Sequence, residues 1–186
     1  PGRIRLEGDF ITRTAASDPL QTSTLPGSVF VSGLPTLAIT TVAGVAVPAS
    51  PTGTADVTLP STTPNPVTVA FSTTGVPAGN TVRVTVTPVT GNSSSATSTA
   101  LTGDTNGATA TASVNLPSGP STLSATVTYT IVVALGEELS KFAQGERVEK
   151  IRLSAVLNGP STVTLITHSG KEYQLPANIP FAGIGS

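Results

Sequence analysis

The chain of 186 residues has no Cys, Met or Trp, one His, and nine Lys and Arg against ten Asp and Glu, for a net charge of -1. That length can bury a real core in one domain, or one domain with a small appendage. The missing cysteines exclude disulfides and thiolate metal sites, the near-neutral charge excludes the electrostatic footprint of a nucleic-acid binder, and no run approaches the roughly 18 apolar residues of a membrane span.

Charge is spread unevenly, and this suggests the organisation. Residues 14 to 136 carry only Asp18, Asp56, Arg83 and Asp104; the other charged side chains sit at the two ends. The chain begins at Pro1, with no initiator Met or signal peptide, which points to a piece of something longer. At the first end Ile4 and Leu6 alternate with Arg3, Arg5 and Glu7, so a strand there has one apolar and one wet face. Residues 14 to 26 show no apolar period and read as a linker, giving an N-terminal strand-and-linker region over 1–35.

Strands are expected next at Ser28 to Val31, Thr36 to Val42 and Ala55 to Leu59. Val67, Val69 and Phe71 share a face opposite Thr68, Ala70 and Ser72. Val82, Val84 and Val86 alternate with Arg83, Thr85 and Thr87. Ala108, Ala110, Ala112, Val114 and Leu116 alternate with Thr109, Thr111, Ser113 and Asn115, and Leu123 to Val133 continue the pattern. Turn residues separate them at 76–80, 105–107 and 117–120. Alternation at period two over four such segments predicts an all-β protein with an antiparallel immunoglobulin- or fibronectin-like sandwich over 36–133, carrying extra N- and C-terminal strands. Val69, Phe71, Val84, Val86, Val114, Val127, Tyr129 and Ile131 are its expected interior.

Residues 134–186 form a charged C-terminal β segment packing on or beside that sandwich. Leu139, Phe142 and Ala143 fall at helical spacing between Gly136 and Gly145, with Glu137 and Glu138 expected at a solvated helix start. Strands follow at Arg147 to Leu157, Thr162 to Thr167 and Lys171 to Leu175, the last two joined by a His168-Ser-Gly170 turn.

Chemistry is sparse. One histidine in a turn, with no nucleophile elbow, furnishes neither a triad nor a multi-histidine metal site. Asp104-Thr-Asn-Gly107 resembles a fragment of a calcium loop but lacks the later acidic ligands, so it reads as a hairpin turn. Asn92-Ser93-Ser94 is a sequon in what reads as a flexible loop. No catalytic, cofactor or metal residues are assigned. Of the few aromatic rings only Tyr173 reads as free on a surface, a poor platform for stacking sugars.

Pro1-Gly-Arg-Ile-Arg-Leu-Glu7, with Pro35-Thr-Leu-Ala-Ile-Thr, Val42-Ala-Gly-Val-Ala-Val-Pro48, Asn65-Pro-Val-Thr-Val69 and Thr167-His-Ser-Gly-Lys-Glu172, resembles the C-terminal sandwich region of large secreted surface proteins with Gly-rich repeats from environmental bacteria. The resemblance implies a secreted, extracellular or cell-surface protein without known catalytic residues. The chain itself carries no Gly-rich repeat.

A Thr and Ser surface exerts little repulsion between copies and does not defend its sheet edges with charge. The expected function is therefore a non-enzymatic extracellular structural protein that self-assembles into a filament or surface layer by donation of its N-terminal strand. The rivals are a spacer or stalk domain of a larger surface protein, and an adhesin or carbohydrate-binding module with a glycan contact. In the leading reading Arg3, Ile4, Arg5, Leu6, Glu7 and Phe10 form the donated strand. Residues 3 to 13 are expected to pair with the C-terminal strands, in a neighbouring copy if the protein is a filament and in the same copy if it is a stalk, with Ile151 and Leu153 at the interface and Arg3 and Arg5 near Glu146 and Glu149.

Overall fold

The computed structural model describes residues 4–7, 21–24, 34–48, 56–157 and 161–175. It divides into two compact units, residues 1–33 with 176–186, and residues 34–175. In the first unit β1 (Ile4–Glu7) and β2 (Gln21–Thr24) pair in parallel, Ile4 opposite Gln21 and Glu7 opposite Thr24. Arg3, Phe10 and the strand expected at Ser28 to Val31 lie outside the described residues.

The second unit is an all-β sandwich. Its strands are β3 (Thr36–Val42), β4 (Val45–Ala46), β5 (Val67–Thr74), β6 (Thr81–Pro88), β7 (Ser94–Ala100), β8 (Thr102–Asp104), β9 (Gly107–Val114), β10 (Ser121–Thr130), β11 (Val148–Val156), β12 (Thr162–Thr167) and β13 (Glu172–Gln174). One sheet has five strands in the order β4-β3-β5-β9-β8, the other six in the order β13-β12-β11-β10-β6-β7, and every pairing in both is antiparallel.

The sequence's period of two becomes an inside and an outside. Along β9, Ala108, Ala110, Ala112 and Val114 are buried while Thr109, Thr111 and Ser113 are exposed. Val82, Val84 and Val86 of β6 are fully buried, and Phe71, Val69, Val127 and Tyr129 join them. Burying each such side chain contributes about 1.5 to 3 kcal/mol, and a one-residue slip in register would expose the whole set. Ile131 is the exception to the expected interior: it falls just past the end of β10, is half-buried, and donates its N–H to the Glu149 carbonyl at 3.0 Å.

The C-terminal strands extend one sheet of the sandwich, β11 pairing with β10 from Ser124↔Val156 to Thr130↔Lys150. Two expectations are corrected. Residues 56–59, expected as the end of a strand, are irregular. The helix α1 (Val133–Glu138) begins earlier than expected, so Glu137 and Glu138 end it, and a 3₁₀ turn (Leu139–Phe142) follows. Within this helix Gly136 lies against the start of β11, where a Cβ would stand 2.0 Å from the Val148 carbonyl oxygen. Only glycine lets the helix approach that closely.

Strand β7 was not foreseen. Only Ser98 on it is buried, so it carries no apolar alternation. Ser98 supplies a backbone-like contact instead, its hydroxyl accepting the Val82 N–H at 2.8 Å where the β6–β7 register shifts. One residue beyond β7 the chain changes sheets. Leu101 is buried, its N–H donates to the Asn80 carbonyl at 2.7 Å, its carbonyl accepts from Gly79 at 2.9 Å, and β8 then pairs with β9.

Candidate functional site

At the end of the sandwich where β3, β9 and β11 finish and β5 and β10 begin, a cleft of about 880 Å³ opens between residues 56–65 and residues 116–123. Asn65 ties its two sides together. The Asn65 amide donates to the Leu116 carbonyl at 2.8 Å while its oxygen accepts the Leu116 N–H at 3.0 Å, reproducing one more rung of the β5–β9 ladder with a side chain. Thr63 N–H donates to the Pro60 carbonyl at 3.0 Å and closes a turn on the 56–65 side.

The lining is mainly aliphatic and hydroxylic, and among the described residues Asp56 is the only charged one in it. Both carboxylate oxygens of Asp56 and the hydroxyl of Ser121 are sealed from water with no hydrogen-bond partner. Folded proteins seldom leave such groups alone, since an unmet neutral one costs about 1 to 3 kcal/mol and a charged one more. Sequence reasoning did not find this site. Asp56 stood as an isolated acid in a neutral stretch, and 64 residues of chain separate it from Ser121.

The expected assembly residues fall elsewhere. Ile151 and Leu153 are buried core residues of β11. That strand is flanked by β10 on one side and β12 on the other, so it has no free edge for a donated strand. Glu146 is also engaged: it accepts hydrogen bonds from the Lys171 ammonium and the Ser169 hydroxyl. The Lys171 bond, then those from Ser169 and Thr167, hold its carboxyl down at about 2, and the same pairing raises Lys171. Glu149 is exposed on β11. Ile4, Leu6, Arg5 and Glu7 lie in β1, in the other unit.

The remaining motifs take structural places. The Asp104 carboxylate accepts the N–H groups of Asn106 at 2.8 Å and Gly107 at 3.1 Å, shaping the β8–β9 hairpin. His168 stands in the β12–β13 turn, its N–H donating to the Arg147 carbonyl at 3.1 Å. Asn92 and Ser93 precede β7, and Ser94 begins it. Burial pushes the Tyr129 phenol well above its ordinary value, in keeping with a core role. No helix among the described residues is long and apolar enough to cross a membrane. No protein family, curated protein or solved structure matches the chain.

Proposed function

We propose that this chain is a non-enzymatic, exported structural subunit that associates with its own copies into a filament or surface layer. The supporting observation is the outer face of the five-stranded sheet. Thr36, Thr68, Thr74, Thr109, Thr111 and Ser113 are exposed there, and β3, β5 and β9 carry no charged side chain at all. Ordinary soluble sheets keep copies apart with charges on faces and edges. On its outer side β3 pairs with β4 only through Thr41 and Val42, plus the Val47 N–H to the Thr40 carbonyl at 2.9 Å; among the described residues the stretch from Thr36 to Ile39 has no backbone partner there. A strand from residues 3–13 of a neighbouring copy needs an open edge of this kind, which β11 lacks.

Negative-stain electron microscopy of the native protein tests the reading. Filaments or sheets are expected, and replacing Thr68 and Thr111 with Lys should disperse them while the fold stays intact. Monodisperse particles at high concentration would overturn assembly and favour a spacer domain.

A further inference from the structure

The cleft with Asp56 points to a second property, independent of assembly. We propose that it binds a small organic cation, an ammonium or guanidinium head on an aliphatic stem, with the head on the Asp56 carboxylate and the Ser121 hydroxyl as a second polar contact.

A carboxylate accepts hydrogen bonds and donates none, and neither oxygen of Asp56 has a donor. Among the described residues no Lys, Arg or His lines the cleft, so a ligand is the source of countercharge the proposal invokes. Asp56 as a whole is only half-buried, and the proposal requires its carboxylate to turn toward an entering head. The body of the ligand follows from the walls. Val57, Leu59, Pro117, Leu123 and Val156 offer aliphatic surface, and no aromatic ring among the described residues lines the space. An aromatic cage for a quaternary ammonium, or a stacking platform for a sugar, is therefore missing from this lining. A volume of about 880 Å³ suits a small ligand rather than a lone metal ion.

This head and stem occur in free aliphatic amines and in lysine side chains of peptides, and calorimetry on the full chain separates the two. The probes are hexylammonium, hexanol, a blocked Ala-Val-Lys-Val-Ala peptide, its norleucine counterpart, and calcium chloride. Hexylammonium should bind at least about tenfold more tightly than hexanol, because a charge-assisted bond is made only by the cation. Added salt should weaken it. Asp56→Asn, nearly the same shape without the charge, should erase that preference, and Ser121→Ala should lower affinity by a smaller factor. If the Lys peptide outbinds both hexylammonium and the norleucine peptide, the ligand is a lysine side chain; if hexylammonium binds better, it is a free amine. The Asp56 carboxyl carbon resonance of the unmodified protein should shift on adding hexylammonium, a readout that does not depend on either variant folding. Equal binding of hexanol, binding that ignores Asp56, no binding by either cation, or calcium displacing them would overturn the proposal.

Discussion

The two halves of the sandwich share a core but fill and face it differently. Where β9 packs, the inner positions are Ala108, Ala110 and Ala112, and the outer ones are uncharged. Where β11 and β12 pack, the inner positions are Ile151, Leu153, Val163 and Leu165, and the outer surface carries Lys150, Arg152 and Glu172. The small side chains have a local reason: Ala110 lies directly beside Phe71 of β5, and a bulky ring next to a methyl fills the layer without collision. The charged half ties its outer surface with side chains, as in the two-pronged Arg152 to Glu172 contact at 2.8 and 2.9 Å. One fold thus accommodates a neutral half and a charged half on the same core.

The comparison is most exposed to failure in the core. Leu153→Ala should cost about 2 to 5 kcal/mol in chemical denaturation, since its pocket is fully enclosed. Ala110→Leu should cost about 1 to 3 kcal/mol, by overpacking instead of by cavity. If the Ala110 variant were the more stable of the two proteins tested against the unmodified chain, and Leu153→Ala were harmless, the division into a small-packed and a large-packed half would be wrong. Asn65→Ala comes next, at about 1 to 2 kcal/mol for two lost hydrogen bonds, and should also raise amide exchange at Leu116.

The smallest expected effect lies in the charged half. Glu146 has a folded value of about 2 against an ordinary 4.5, so its contribution to stability is fully present above about pH 4.5 and is lost as pH falls through 2. A carboxyl carbon titration should show the low value, and Lys171→Ala should move it back up.

Much of this fold was legible because alternation is a strong signal. The bounds of β3 and β12 coincide with those read from the sequence, and the register of β6 puts Val84 and Val86 inside as expected. What escaped was set by contacts distant in sequence. Strand β7 is held by pairing with β6 and by a serine, so its own residues do not announce it. The place of Gly136 in α1 is explained by its close approach to β11, a contact between elements that the local sequence does not show. A change of charge texture near residue 136 looked like a domain boundary, yet a sheet can run from a neutral strand to a charged one without interruption, as β10 and β11 do. The cleft escaped for a similar reason, because the isolation of Asp56 becomes meaningful only when its lack of a partner is visible in three dimensions.

The passage of the chain between sheets at Leu101 has a mechanical side. Strands β7 and β8 form one nearly continuous stretch, with β6 gripping its first part and β9 its second. A pull along the strands that tends to slide one sheet past the other must therefore draw on both ladders at once. The two sheets are expected to yield together under load, as a single rupture event.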